Sequence, residues 1–217
     1  MFIDYRVFYS KTGRLKYISH LDVNRLMQRA LKRSGLPVWY TEGFNPHIYI
    51  TFALPLALGL ESFYEVMDFR LTAELSEKEI IRRLQTALPE GIEVFSVSKP
   101  IGKPQDIKSA LFRIELLCKT EDNLLNSWQS FLSQREILVE KKTKKGSKIV
   151  DIRPDLVVKK IEQMKDKLIL ELFLPAGIQN NISPFLVVEA FSEKEKIQIS
   201  PKITKIGVFT KEGKEFH

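Results

Sequence analysis

The chain has 217 residues, 44% hydrophobic and 28% charged, so a packed core is expected and global disorder is not. The formal charge of +7 at pH 7 permits contact with phosphates without requiring it. A single cysteine, Cys118, excludes an internal disulfide or a thiolate-bound cluster, the apolar runs are too short to span a bilayer, and residues 1–9 do not resemble a signal peptide. We therefore expect a cytoplasmic protein without a metal or other cofactor.

The first half of the chain predicts the element order β-α-β-β-α-β. A strand over residues 2–9 precedes a helix that begins at Ser19, where Asp22 completes a capping signal, and ends at Gly35. Strands follow over residues 48–54 and 63–71, then a helix over 76–87 and a strand over 92–97. This order is typical of a ferredoxin-like fold.

The second half repeats the pattern after a Pro- and Gly-containing linker at residues 98–109. Strands are predicted over residues 111–117, 136–140, 149–153, 168–174 and 203–209, and helices over 122–133 and from Ser183 to 191. The fold class is therefore α+β, with tandem ferredoxin-like modules at residues 1–98 and 110–217. Each module should have an antiparallel sheet with its helices on one face.

The positive charge falls in two blocks. Residues 1–54 carry eight Lys/Arg and three acids, and residues 135–160 carry nine and four. Asp22 is the only acid between Ser10 and Thr41, whereas solvated helices usually alternate signs. The candidate phosphate contacts are Arg14, Lys16, Arg25, Arg29, Lys32 and Arg33 in the first block and Lys141, Lys142, Lys144 and Lys145 in the second. Each block is equally open to interpretation as a solvated surface.

Aromatic residues flank the loop at residues 41–47, and single-stranded RNA binds by stacking as well as by charge. Trp39, Tyr40 and Tyr49 are expected to lie mostly in the core. Phe44, between Gly43 and Asn45 in a turn, is the best candidate for an exposed ring. Phe44 and Asn45 are therefore added to the candidate RNA contacts.

Two internal histidines, His20 and His47, are the candidate catalytic residues. Such a pair can act as general base and acid in RNA cleavage. If residues 48–54 form the crossover strand, however, the two lie roughly 15–20 Å apart, at opposite ends of the sheet. If residues 38–40 form it instead, the two histidines could share an end, but the strand directions then fit poorly. No metal-ligand motif, glycine-rich phosphate loop or dinucleotide fingerprint is present, so no metal site is predicted.

Several motifs resemble the radical-SAM-linked protein family, a bacterial domain of unknown function. They are Arg14–Asp22, Arg29–Pro37, Tyr40–His47, Phe52–Leu56 with Gly59, Glu61, Ser62 and Glu65, and, in the second half, Asp151–Pro154 and Ser183-Pro184. Members of that family occur alone or fused to a radical-SAM enzyme, often beside ribosomal or ribonuclease genes. The resemblance implies work on RNA or the translation apparatus. Because this chain has no CxxxCxxC triad, a radical-SAM enzyme would be a separate partner.

Residues 19–22 and 43–47 are also similar to motifs of the CRISPR repeat-RNA endoribonucleases, which pair two ferredoxin-like folds and need no metal. Those enzymes carry a glycine-rich loop near the C-terminus, and Gly207 and Gly213 are too sparse to match it. We therefore expect a non-catalytic RNA-binding protein that acts in tRNA or rRNA maturation or as the partner of a radical-SAM enzyme, with a metal-independent endoribonuclease as the alternative. The sequence leaves the oligomeric state open.

Overall fold

The structure, a computed structural model, describes residues 1–117, 123–143, 146–177 and 180–217, without the side chains of Lys142 and Thr143. It divides into two compact units. Unit 1 consists of residues 1–107 and 215–217, and unit 2 of residues 108–214. Unit 1 thus contains most of the predicted linker, and it takes residues 215–217 from the stretch assigned to the second module.

Unit 1 has the predicted order of elements. They are β1 (Ile3–Lys11), α1 (His20–Arg33), β2 (Ile50–Phe52), β3 (Glu61–Leu71), α2 (Glu77–Ala87) and β4 (Ile92–Ser98). The strand order is β4-β1-β3-β2, and all neighbours are antiparallel. β2 is shorter than the predicted strand over residues 48–54, because Ile48 pairs with Tyr40 at the base of a loop instead of with β3.

The helix ends of unit 1 follow the signals in the sequence. The Ser19 hydroxyl accepts the backbone N–H of Asp22 at 3.1 Å and donates to the Asp22 carboxylate at 2.7 Å. Ser76 likewise accepts the N–H of Glu79 at 3.3 Å. Gly35, with φ of 67°, adopts the left-handed conformation that ends α1. The predicted caps are confirmed.

The core of unit 1 lies between the helices and one face of the sheet. Val7 and Phe69 contribute from the strands, Met27 and Leu31 from α1, and Leu84 from α2, and all are almost fully buried. Because side chains alternate along a strand, the residues between these core positions point to the opposite face, here called the outer face. Both helices therefore cover a single face of the sheet.

Unit 2 repeats the order with one insertion. Its elements are β5 (Ile107–Leu117), α3 (Leu124–Leu132), β6 (Leu138–Thr143), β7 (Gly146–Asp151), β8 (Val157–Gln163), β9 (Lys167–Pro175), α4 (Pro184–Glu195) and β10 (Lys202–Thr210). The main sheet has the order β10-β5-β9-β8, and β6 and β7 form a separate two-stranded hairpin.

The middle of unit 2 differs from the prediction. The predicted strands over 136–140 and 149–153 correspond to the hairpin, and β8, which pairs with β9, was missed. β8 is largely exposed and contains Lys159 and Lys160, so it lacks the alternation that marks a half-buried strand. The predicted helix start at Asp122 lies outside the described residues.

The α+β class is confirmed by four helices and mostly antiparallel strands in the described part of the chain. The finer description as tandem ferredoxin-like modules rests on the element and strand orders and stays a prediction. None of the described helices is long and apolar enough to cross a membrane.

Candidate functional site

Four cations lie on the solvent side of α1, opposite the helix's core residues. We call them the cationic face of α1: Arg25, Arg29, Lys32 and Arg33, all of them exposed. Their three- and four-residue spacings keep them on one side of the helix. The buried residues Val23, Met27 and Leu31 hold the other side against the sheet. Because the apolar side of α1 is buried, these four side chains point to solvent.

Few acids neutralise this face. Arg25 approaches the Asp22 carboxylate at 3.4 Å, with both side chains more than half exposed. Arg33 donates to the backbone oxygen of Ala87 at 2.7 Å, and no carboxylate in the described part of the chain pairs with it. Among the described residues, Arg29 and Lys32 make no ion pair or hydrogen bond. An exposed pair such as Arg25–Asp22 is weak, so most of the positive charge remains available to an anion.

The neighbouring helix α2 shows the opposite arrangement. Glu79 binds Arg82 through two hydrogen bonds of 2.8 Å and Arg83 through one of 2.6 Å. These hydrogen bonds, first from Arg82 and then from Arg83, lower the pKa of Glu79 to about 2. Both arginines of α2 are thus paired with a carboxylate of their own helix, whereas in α1 Arg25 alone makes such a pair among the described residues.

The arginines of α1 also form a cleft of about 430 Å³, here called the arginine cleft. It is lined by Asp22, Arg25, Leu26, Arg29, Arg33 and Pro89. Successive arginines four residues apart rise about 6 Å along the axis, which suits a row of anionic groups. The Ser19 hydroxyl, and to a lesser extent Arg25, hold the pKa of Asp22 below its ordinary value, so one negative charge stays at the edge of the cleft.

Arg14 and Lys16 lie on the short 3-10 turn, Gly13–Tyr17, that leads into α1. Arg14 is exposed, and the Lys16 ammonium lies 5.1 Å from the centre of the Tyr17 ring, itself exposed. These two cations lie in the turn that precedes the N-terminal end of α1.

The loop over residues 41–47, here called the tip loop, is closed at its base and exposed at its tip. The Thr41 N–H donates to the His47 oxygen at 2.8 Å, and the His47 N–H donates to the Thr41 hydroxyl at 3.1 Å. Between them Gly43 takes φ of 116°, and the Phe44 ring is fully exposed. The exposure predicted for Phe44 is confirmed, and Asn45 beside it is exposed as well.

The other aromatics near the tip loop do not lie in the helix-side core, so that expectation is wrong. Tyr40 is exposed, and Trp39 and Tyr49 are half-buried. The Arg70 guanidinium lies 4.0 Å from the centre of the Tyr49 ring, 5.3 Å from that of Trp39 and 3.8 Å from that of Phe2. The rings pack around an arginine because the odd–even alternation of β3 directs Arg70 to the outer face.

The structure does not bring His20 and His47 together. The His20 ring packs edge-on against Phe52, at the end of β2, with 4.9 Å between ring centres. His47 precedes β2, and its Nδ1 lies 3.1 Å from the Asn45 oxygen. Five residues of extended chain between positions 47 and 52 correspond to roughly 16 Å. That separation argues against one phosphodiester contacting both imidazoles.

The second basic block lies on the β6–β7 hairpin. Lys141 and Lys148 are direct cross-strand partners, and the Lys141 ammonium donates to the Asn181 oxygen at 2.6 Å. Lys144, Lys145 and the side chain of Lys142 lie outside the described residues. The register places two lysines directly opposite each other on this hairpin, and like charges in such a pair destabilise it.

Sequence reasoning missed that Pro89 lines the arginine cleft and that Glu79 pairs with both arginines of α2. Pro89 follows α2 and reaches the arginine cleft only through the packing of α2 beside α1, which no local signal reveals. The Glu79 spacing to Arg82 and Arg83 was readable as an i,i+3 and i,i+4 pattern. Within the described residues, no group of three or more metal-ligating side chains occurs.

The fold and site define a small α+β protein that has a cationic helix, an exposed aromatic loop and a lysine-bearing hairpin. The chain belongs to the family described as an uncharacterized protein conserved in bacteria (DUF2344), whose model matches residues 4–184. This match confirms the resemblance to a bacterial domain of unknown function, and its description names neither a radical-SAM enzyme nor a CRISPR nuclease.

Comparison with other known proteins adds little. No curated protein matches the chain. A crystal structure of an unknown protein from Galdieria sulphuraria matches 94% of this chain and 99% of its own at 13% identity, with a TM-score of 0.27. A TM-score this low supports no inference about fold or function.

Proposed function

We propose that the chain binds RNA through the cationic face of α1. The observation that carries the proposal is the contrast between adjacent helices: both arginines of α2 pair with Glu79, while among the described residues Arg29 and Lys32 of α1 have no carboxylate partner. Neighbouring arginines without an acidic partner repel one another, and a bound anion relieves this repulsion. Polyphosphate backbones bind by this kind of charge array, with release of counterions.

The RNA is single-stranded where it meets the tip loop. Phe44 presents both faces of its ring to solvent, and a fully exposed aromatic gains by stacking on an unpaired base. Asn45 adds an amide that hydrogen-bonds to a base edge. His47 Nδ1 lies 3.1 Å from both the Asn45 oxygen and the Thr41 hydroxyl, so Nε2 is the ring nitrogen left to contact RNA at the same loop. The tip loop therefore supplies base contacts and α1 supplies phosphate contacts.

The hairpin of unit 2 is a second phosphate contact. Lys141 and Lys148 face each other across it, and Lys142, Lys144 and Lys145 lie in the same stretch of sequence. An RNA strand bound here would relieve the repulsion between the paired lysines. Two separate contacts raise the affinity through effective concentration even when each alone is weak.

The cellular setting follows from the family resemblance. We propose a cytoplasmic bacterial protein that takes part in tRNA or rRNA maturation, with a radical-SAM enzyme as partner. It would hold RNA while another protein carries out the chemistry, because His20 and His47 lie too far apart to serve one phosphodiester. Co-purification from the native host would test the partner.

Crosslinking in cells followed by RNA sequencing tests the proposal directly. The wild-type chain should enrich a defined set of transcripts, and a variant with Arg25→Ala, Arg29→Ala and Phe44→Ala should lose them. Equal recovery from both proteins, or no enriched RNA, would overturn it. Incubating the wild-type chain with the enriched RNA in EDTA tests the non-catalytic part, since intact RNA is expected and cleavage that His20→Ala or His47→Ala removes would establish the endoribonuclease instead.

A further inference from the structure

Three aromatic rings form a cluster on the outer face of the unit 1 sheet, away from the helices. Phe8 lies on β1, Tyr64 on β3 and Phe95 on β4. The ring centres are 5.6 Å apart for Phe8 and Tyr64, 6.3 Å for Phe8 and Phe95, and 6.0 Å for Tyr64 and Phe95. The cluster thus spans three adjacent strands, with one ring from each.

A β-bulge places the third ring. Phe8 pairs with Ser96 and Tyr9 with Val94, so Phe95 is the extra residue of β4 and has no partner on β1. Bulges redirect a side chain, and this one keeps Val94 in the core while Phe95 joins the outer face. Phe95 remains 48% exposed, whereas Phe8 and Tyr64 are buried.

Residues 215–217 cover this cluster. The Tyr64 hydroxyl donates to the Phe216 oxygen at 2.9 Å, and Arg6 Nη1 donates to the His217 oxygen at 2.7 Å. The His217 ring lies 5.8 Å from the Phe8 ring. Phe216 is fully buried, with the Arg6 guanidinium 4.5 Å from its ring centre. A short segment therefore places two rings against the outer face.

The groups that hold this segment are suited to other ligands. Asp68 accepts hydrogen bonds of 2.7 and 2.8 Å from Nε and Nη2 of Arg6. These two bonds hold the guanidinium, so the third nitrogen, Nη1, keeps its direction. The Tyr64 hydroxyl, whose pKa is raised by burial, donates its hydrogen to the segment itself. Gly102 closes the other side, where an added Cβ would lie 3.1 Å from the Phe216 ring.

We propose that Phe8, Tyr64 and Phe95 form a base-stacking platform for single-stranded RNA, and that Phe216 and His217 are its displaceable cover. Aromatics on the open face of a four-stranded α+β sheet are a recurrent RNA-binding solution. Two unpaired bases replace the two rings, and the Arg6 Nη1 donor turns from the main-chain oxygen of His217 to a base carbonyl. This rests on RNA being the ligand, but it needs neither the cationic face of α1 nor the tip loop.

The expected effect follows from the hydrogen bond that Tyr64 makes. Tyr64→Phe keeps the stacking ring and removes one bond to the cover. If residues 215–217 cover the platform most of the time, the apparent affinity for RNA is proportional to the fraction of molecules with the platform uncovered. Loss of one hydrogen bond, worth about 1 kcal/mol, raises that fraction about fivefold. Phe216→Ala should raise the apparent affinity further. Phe95→Ala, added to either variant, should cancel the gain in affinity.

The experiment uses the full chain and a short single-stranded RNA with a central 2-aminopurine, whose fluorescence is quenched by stacking. It is run at high salt, where phosphate contacts are screened. Greater quenching with Tyr64→Phe than with the wild type, abolished by Phe95→Ala, is expected. Circular dichroism confirms that each variant is folded.

Two outcomes would overturn the proposal. Equal quenching by the wild type and folded Tyr64→Phe would make residues 215–217 a packing contact only. Quenching that persists with Phe95→Ala would place the stacking elsewhere. Arg25→Ala with Arg29→Ala is the control that separates this inference from the proposed function. That variant loses low-salt binding if the cationic face is correct, and it keeps the gain from Tyr64→Phe if the platform is correct.

Discussion

Removing Arg25 and Arg29 together should halve the salt dependence that the cationic face of α1 gives to RNA binding. Both side chains are exposed, and alanine is the best helix former, so the double variant should fold with nearly unchanged stability. The change then acts on the ligand and not on the helix that carries it.

The magnitude follows from the number of cations. Each phosphate neutralised on a single strand contributes about 0.7 to the slope of log affinity against log salt. The four cations of the face therefore give a slope of about −2.8, and the two left in the variant about −1.4. Between about 50 and 200 mM salt, affinity due to this face should fall about 50-fold for the wild type and about 7-fold for the variant.

Fluorescence anisotropy with one labelled single-stranded RNA, titrated at four or more salt concentrations, measures both slopes. Lys78→Ala with Arg82→Ala is the matched control, because it removes the same net charge from the adjacent α2. The control should keep the wild-type slope, because it leaves the four cations of α1 in place. Any contribution of the hairpin lysines is the same in all three proteins and does not affect the comparison. If both double variants lose slope equally, only the total charge matters and this face is not the contact.

The remaining predictions concern single side chains. Asp22→Asn should strengthen RNA binding at low salt, because it removes the carboxylate from the arginine cleft while Ser19 still caps the backbone. Unchanged or weaker binding would contradict this. Phe44→Ala should cost about 1–3 kcal/mol of binding to single-stranded RNA without a change in Tm, whereas Ile101→Ala, which removes another exposed apolar side chain, should cost nothing. Glu79→Gln should lower thermal stability at pH 7. The folded-state pKa of Glu79 is depressed to about 2, so the stability that its charge contributes is lost as pH falls from the ordinary glutamate range through about 2. The difference in Tm between Glu79→Gln and the wild type should therefore shrink over that range. A pH-independent difference in Tm would show that charge is not the cause.

Local signals predicted unit 1 well. Ser19, Ser76 and Gly35 act through hydrogen bonds or backbone angles within four residues, so their roles can be read directly along the chain. The direction of the cationic face of α1 was predictable for the same reason, because an apolar stripe on a helix leaves only one side for its charges.

Long-range packing was not predictable. Phe216 is fully buried against the outer face of unit 1 although the 107 residues of unit 2 separate it in sequence from the rest of that unit, and no periodicity marks such a contact. Trp39 and Tyr49 were expected in the core because aromatics usually lie there, but Arg70 gathers them on the outer face. β8 was missed because an exposed edge strand with lysines resembles a loop in sequence.

The cross-strand pair of Lys141 and Lys148 has a consequence for how the hairpin itself folds. Screening by salt weakens their repulsion, so the two strands should be better ordered at high ionic strength than at low. Amide hydrogen exchange in β6 and β7 should therefore slow as salt is added to the free protein, while the rest of unit 2 changes little. The hairpin would then be loosest in the dilute conditions where a polyanion is attracted most strongly, so that binding and ordering take place together.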